Sequence, residues 1–538
     1  MGEQRILVCS EFHKLSTGYS TYYHELLKKL HKHFTVAEYA CFIKEGDPRL
    51  KDVPWKVYPV IPGDNNPLQK YYNHNGTHQF GSLLFDEVCI DFRPTHVIDI
   101  RDVFMFDHEH SSPARPYFKW LIMPTVDSYP QNEQWLSVIN DADYVFTYQD
   151  WSKQLLEKSG VKVGCAAPPV ASDVYYPYPE DEKRALQGRF GFNGKTVLGT
   201  VMRNQRRKLF PDLFKMLSIL HKIGRKDVVL YCHTTYPDLG WDIPKYLNEH
   251  GVANSVYFTY TCPCGHIFPT LFNDALTVCP KCRKPTASFP SSSDGIPNEA
   301  MNVIYNSFDL YIQYSNSEGF GMPQVEAAAC GVPVASIDFS AMSDIVRKLG
   351  GIPLEYLTLY DELETGCKRA VPNNELSAST ISNLKLYPKM RFESRMNFEK
   401  YYGSWGVTTD KWVEAILQTP QNDKVWLSPP KYHTPNKNIP KNLSSVDYAR
   451  FLILEVLGDS KYVNSYMEAR LIRDLNHGYT ATGMNGMYFN EMSATFTKPN
   501  FKKFTREDAW KEMANLCEIR NTWEKKREST LRSSLQRK

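Results

Sequence analysis

The chain has 538 residues, 42% hydrophobic and 23% charged, with a formal net charge of +3. That is ordinary globular composition with room for two or three domains, and a charge too mild to demand a polyanionic partner. No run of about 20 apolar residues occurs, so no membrane-spanning helix is expected.

The opening "MGEQRILVCSEFHK" lacks the charge pattern and length of a signal peptide, and "RILVCS" (5–10) reads as a first strand. "YYHELLKKLHKH" (22–33) follows as a helix with Leu26, Leu27 and Leu30 on one face. "THVIDI" (95–100), "WLIMPTV" (120–126) and "ADYVFTY" (142–148) are further buried strands. His108 and His110 in "FDHEH" read as surface histidines. Apolar runs alternating with helical patterns predict a parallel, doubly wound sheet.

A stretch rich in Pro, Gly and charge, 168–195, reads as a linker. A second strand–helix series starts at "TVLGTVMRN" (196–204). It continues through "VVLYCHT" (228–234), "VYFTY" (256–260), "DLYIQYS" (309–315) and "VPVASID" (332–338). The fold class expected is α/β, with two Rossmann-like domains facing across a cleft. The expected boundaries are 1–180 and 190–395, with 396–538 as a crossover helix and helical extension. Within that extension, "SPPKYHTPNKNIPKNLS" (428–444) is irregular and the final helix "WEKKRESTLRSSLQRK" (523–538) is basic.

Four of the twelve cysteines cluster: Cys262 and Cys264, then Cys279 and Cys282. Paired spacing with Pro and Gly turns suits a closed tetrahedral zinc ribbon at 260–290, with His266 a fifth candidate that competes with Cys264. The others sit mostly in apolar contexts such as Cys89 and Cys330, as reduced core cysteines do. That usage, with no export signal recognised, makes a reducing, cytoplasmic location the expectation.

Between Asn316 and Pro333 stands "NSEGFGMPQVEAAACGVP". Gly319 and Gly321 open a backbone path to the start of a helix whose first position suits Pro323. Free N–H groups and the helix dipole at such a start favour an anion. Glu318 and Glu326 on either side would repel a phosphate unless they face something else, and sugar hydroxyls fit. Together they describe a ligand with a central diphosphate and a sugar at each end. Glu318 would meet the transferred sugar, and Glu326, in the helix's first turn, the ribose.

The segment "EGFGMPQVEAAACGVPV", Glu318 to Val334, resembles the signature of the family-4 retaining glycosyltransferases of the GT-B fold. "GTVMRNQRRK" (199–208) is similar to that family's G-R-x-x-x-x-K segment, with Arg203 and Lys208 at its two cations. "STGYSTYYHELLKKL" (16–30) resembles its first loop, placing Gly18 near donor or acceptor, and "LIMPTVDSYP" (121–130) has Asp127 where the family offers a histidine. The resemblance covers roughly 1–420 apart from the ribbon. It implies a nucleoside diphosphate sugar as donor, UDP-sugar favoured, and zinc with a structural role only. Arg203 and Lys208 would hold the diphosphate with the backbone of Gly319, Phe320, Gly321 and Met322. Glu318 would orient the sugar, with Asp127 in the catalytic set. Arg206 and Arg207 read as a solvated basic loop. The tail stretches 466–478 and 521–529, together with "FHKLSTGYS" (12–20), resemble phage-encoded members, which suggests a hydroxymethylated pyrimidine in phage DNA as acceptor and the host cytoplasm as location. A tRNA nucleoside, a lipid, a polysaccharide, or a degenerate binding protein are the alternative readings. A glycoside hydrolase needs a carboxylate pair but no phosphate cradle, and ranks below transfer.

Overall fold

The computed structural model describes residues 4–422, apart from 16, 65, 67, 68, 113, 172 and 292–294, and parts of 442–454. The tail stretches 466–478 and 521–538, and most of 428–444, lie outside the described residues. The chain forms two compact units, one of residues up to 124, 137–145 and from 412, the other of 125–136 and 146–411.

The first sheet is built from β1 (Arg5–Glu11), β2 (Thr35–Lys44), β3 (Lys56–Ile61), β4 (His96–Asp99), β5 (Lys119–Ile122), β6 (Tyr144–Thr147) and β7 (Cys165–Ala166). Their order is β3-β2-β1-β4-β5-β6-β7 and every pair is parallel. Val8 of β1 faces Glu38 on one side and Ile98 on the other. Ile6 through Glu11 are all buried, because helices cover both faces of a parallel sheet. Leu26, Leu27 and Leu30 supply the buried stripe of the helix Gly18–Leu30, and Lys28 and Lys29 in its last turn complement the helix dipole. One expectation fails here. His108 is buried, edge-on to Phe85 with ring centroids 5.4 Å apart, because the helix Val103–His110 turns that position toward the core. Burial holds its imidazole well below its ordinary pKa.

The second unit carries β8 (Thr196–Val201), β9 (Val228–His233), β10 (Val256–Thr261), β11 (Ile267–Leu271), β12 (Thr277–Val278), β13 (Pro285–Ala287), β14 (Leu310–Gln313), β15 (Val334–Ile337), β16 (Ile352–Leu354), β17 (Tyr356–Asp361) and β18 (Lys368–Pro372). Its main sheet runs β11-β10-β9-β8-β14-β15-β16, parallel except for β11, which lies antiparallel along the edge of β10. The chain order reverses between β8 and β14. In open α/β sheets ligands bind beyond the carboxyl ends of the strands at such a reversal. The sequence 168–195, read as a linker, contains the helix Glu180–Arg189. Glu180, Asp181 and Glu182 suit its positive amino end, and Lys183 is buried in an ion pair with Asp309 at 2.6 Å. The two units are thus Rossmann-like α/β domains. Among the described residues no helix is long and apolar enough to cross a membrane.

Candidate active site

The loop leaving β8 is zipped to the segment leaving β14. Lys208 and Ser315 form an antiparallel bridge, the Leu209 N–H donates to the Tyr314 carbonyl at 3.0 Å, and the Asn316 N–H donates to the Arg207 carbonyl at 3.0 Å. This pairing sets which side chains of the basic loop face Glu318. Lys208 donates its ammonium to Glu318 Oε1, and Arg207 donates to Oε2 at 2.6 Å. Gln313 Nε2 and Ser315 Oγ also donate to Oε1, at 2.8 and 2.6 Å. Glu318 is 4% exposed and Lys208 7%. Arg207 is exposed, as read from sequence, with its side chain 44% accessible, yet its guanidinium also reaches the buried Glu318 carboxylate.

Burial pushes the Glu318 carboxyl upward, but Lys208 and Arg207 outweigh it and hold the group down at about 2. Burial also disfavours the Lys208 ammonium. With Arg207 adding to that and Glu318 opposing it, Lys208 falls from 10.5 to about 8. A pH dependence follows. If Lys208 holds an anionic ligand, kcat/KM drops above pH about 8, and Lys208→Arg moves that limb out of range because a guanidinium stays charged. The unfolded lysine keeps its proton up to about 10.5. Between pH 8 and 10.5 the unfolded state therefore binds more protons, and this group makes stability rise with pH. A pH–rate profile beside a pH–melting profile separates lost activity from unfolding. An alkaline limb that persists in Lys208→Arg contradicts the assignment.

Past Glu318 the chain turns through Gly319 and Gly321. A Cβ on Gly319 would lie 2.5 Å from Thr125 Cγ2, and Gly321 has φ +99°, so both positions require glycine. The helix spans Met322–Ala329, with Gly321 as N-cap and no side chain capping it. Pro323 is thus its second residue rather than its first. Because the helix opens at Met322, Glu326 falls in the second turn, not the first as expected. Glu326 is half-buried and accepts a hydrogen bond from Tyr305 Oη at 2.5 Å. Burial raises its carboxyl to about 7 against that hydrogen bond. The Phe320 ring turns inward against Tyr148 and Tyr402, leaving only its backbone for a ligand. The Glu318 N–H donates to Ser340 Oγ at 3.0 Å, and Ser340 holds a left-handed φ of +52°.

Arg203 does not touch Glu318. Its guanidinium forks onto Asp238 at 2.8 and 3.0 Å and remains half exposed. Asp127 accepts from Ser317 Oγ at 3.2 Å and pairs with Arg369 at 3.0 Å. Arg369 comes from the β17–β18 hairpin and also pairs with Glu362 at 2.7 Å. Gly18 opens a helix in the first unit, where a Cβ would meet nothing within 4 Å. Sequence reasoning missed Arg207, Gln313, Ser315, Ser340 and Arg369. The polar Gln313 and Ser315, at the end of an apolar strand, were a usable signal, whereas nothing local marks Arg369.

The four predicted cysteines come together, their Sγ atoms all within 4.8 Å of one another. Cys262 and Cys282 are 3.6 Å apart and Cys264 and Cys279 3.7 Å. A tetrahedron of thiolates at the usual Zn–S length of about 2.3 Å has edges of about 3.8 Å, so the donor set fits zinc. All four vertices are cysteine. His266 Nδ1 lies 3.4 Å from Cys279 Sγ, outside the cluster and within reach of a hydrogen bond to that sulfur.

Residues 294–383 match the family model described as glycosyl transferases group 1. No curated protein matches the chain. Among solved structures the chain is similar to sucrose-phosphate synthase from Thermosynechococcus elongatus, at TM-score 0.56 and 15% identity over 77% of this chain and 99% of that one. It is also similar to Anabaena HepE, solved with UDP and glucose, at TM-score 0.53 and 13% identity over 77% and 100%. A glycosyltransferase from Rickettsia africae matches at TM-score 0.52 and 14% identity over 78% and 99%. At such identities the likeness is one of fold. Residues 294–383 therefore resemble a group 1 glycosyltransferase segment, carried in a chain with the GT-B fold.

Proposed function

We propose that this chain is a family-4 retaining glycosyltransferase that moves a sugar from a nucleoside diphosphate sugar, UDP-sugar favoured, to an acceptor hydroxyl. The observation that carries the proposal is the gathering of Lys208 and Arg207 on the Glu318 carboxylate at the strand-order reversal, beside a helix start that no side chain caps. Cations gathered beside the amino end of a helix suit a diphosphate. The solved HepE complexes with UDP and with UDP-glucose support that donor class.

In this reading the leaving diphosphate develops negative charge against Lys208, Arg203, Arg207 and the backbone of 319–322. Its departing oxygen takes up the acceptor proton on the same face, so the anomeric configuration is kept and no protein nucleophile is needed. Glu318 orients the sugar and Glu326 the ribose, Asp127 belongs to the catalytic set, and Gly18 approaches donor or acceptor. Residues 1–180 serve the acceptor, 190–395 the donor, and 396–538 form the crossover and extension. Zinc on the four cysteines would brace the insertion, leaving no position open for catalysis.

The test is release of nucleoside diphosphate from a panel of UDP- and GDP-sugars. Each is run alone, then with plain DNA, hydroxymethylcytosine DNA, tRNA or a polysaccharide, and the product anomer is read by NMR. Retained configuration with one donor establishes the reading, and the responding arm assigns the acceptor. Release with modified DNA alone would bring in the basic segment 523–538. An inverted product removes the retaining assignment, and no turnover of any donor leaves the binding-protein alternative.

A further inference from the structure

A pocket of about 260 Å³ lies at the amino ends of β8 and β14, the ends away from Glu318. Drug-sized ligands usually occupy about 300–1,000 Å³, so this one fits a smaller molecule. Leu198, Leu310, Ile381, Leu384 and Leu386 form its aliphatic side. Its charged lining is three cations, Arg184, Lys195 and Arg225, and one carboxylate, Asp309.

The carboxylate is already engaged from within the fold. Asp309 accepts from Lys183 Nζ at 2.6 Å, from Gln187 Nε2 at 3.1 Å and from the Val197 N–H at 2.9 Å. Arg225 is pinned at the rim: its guanidinium forks onto Asp227 at 2.9 Å twice and donates to the Ser382 carbonyl at 3.1 Å. Arg184 donates Nε to Glu180 at 2.8 Å and Nη1 to Gln187 Oε1 at 3.2 Å, which leaves Nη2 without a partner among the described residues. Lys195 is exposed, and among the described residues its ammonium has no partner at all. Ammonium and guanidinium donors meeting at one pocket suit a phosphate, which accepts charge-assisted hydrogen bonds from both.

We propose that this pocket is an anion site separate from the one beside Glu318, and that it takes a phosphate group, free or carried on a small molecule whose body rests against the leucines. β8 runs from the pocket toward the loop of Lys208, and β14 runs from it toward Glu318. The occupant therefore sits at the far end of the same two strands. The inference stands whether or not the transferase reading does.

Calorimetric titration of the full-length chain with inorganic phosphate, and separately with glucose 6-phosphate, tests it at constant ionic strength. Lys195→Glu and Arg184→Glu each reverse the charge of an exposed side chain. Each should weaken binding at least about tenfold, the scale of one charge-assisted hydrogen bond, with an unchanged melting midpoint. Lysine acetylation read by mass spectrometry locates the site directly. Either probe should shield Lys195 and leave Lys32, exposed in the first unit, as reactive as before. Tighter binding of glucose 6-phosphate assigns the leucines to the body of the ligand, and equal affinity makes free phosphate the occupant; both outcomes keep the site. Binding that neither charge reversal weakens overturns it. So does a Lys195 that neither probe shields, or a wild-type chain that binds neither at millimolar concentration.

Discussion

Glu318→Gln lowers nucleoside diphosphate release, measured with whichever donor the wild type turns over, by about 10²- to 10³-fold, the scale of losing one preorganised electrostatic group. The glutamine keeps the shape of the side chain and can still accept from Gln313 and Ser315. What disappears is the charge that offsets Lys208 and Arg207. Breaking a buried pair by removing one partner costs about 3–5 kcal/mol when the remaining ion stays charged. Lys208 already sits at about 8, so it relieves part of that cost by giving up its proton. The melting midpoint therefore falls modestly while turnover collapses. Turnover that stays within a few-fold of wild type would falsify the placement of Glu318 at the reacting sugar.

Metal removal is expected to have the largest effect on stability. Structural zinc sites in small domains carry apparent binding free energies of about 10–16 kcal/mol, and without metal such elements do not stay folded. Here Cys262, Phe268, Cys279 and Ala287 belong to the same buried core as β8, β9 and β14. Loss of zinc should thus lower the melting midpoint of the second unit and open 262–287 to proteolysis. Cys279→Ser should reproduce both changes, with about one zinc lost per chain in metal analysis. Purified protein without zinc and with the same midpoint before and after chelation would remove the metal from the account.

Much of the fold was legible because buried parallel strands are short and uniformly apolar. "RILVCS" covers all of β1 but its last residue, "VPVASID" contains β15, and the leucines of "YYHELLKKL" mark the buried face of their helix. The cysteines were legible because a metal site is written into local spacing. The partners of Glu318 were less so. Arg206 and Arg207 are adjacent and chemically alike, yet Arg207 reaches Glu318 while Arg206 lies over the Trp241 ring, 5.1 Å from its centroid. That difference follows from the bridge of Lys208 to Ser315, a long-range pairing with no sequence period. Arg369 reaches Asp127 from a hairpin whose outer strand is almost wholly exposed and so lacks an apolar signature. The helix Glu180–Arg189 escaped notice because Pro, Gly and charge surround it. Its one buried ion pair depends on Asp309, far along the chain.

The cysteine insertion leaves and rejoins the second unit at one point. Thr261 and Ser288 exchange both backbone hydrogen bonds, at 2.8 and 3.0 Å, so residues 262–287 form an excursion whose two ends meet. Loop-closure entropy grows only slowly with length, so joining the chain at Thr261 and Ser288 costs little more than a short turn would. The excursion is still not detached from its parent, because its strand β11 lies along the edge of β10 and covers backbone groups that the last strand of the sheet would otherwise leave open. The ribbon thus works as an edge guard for the sheet that carries it.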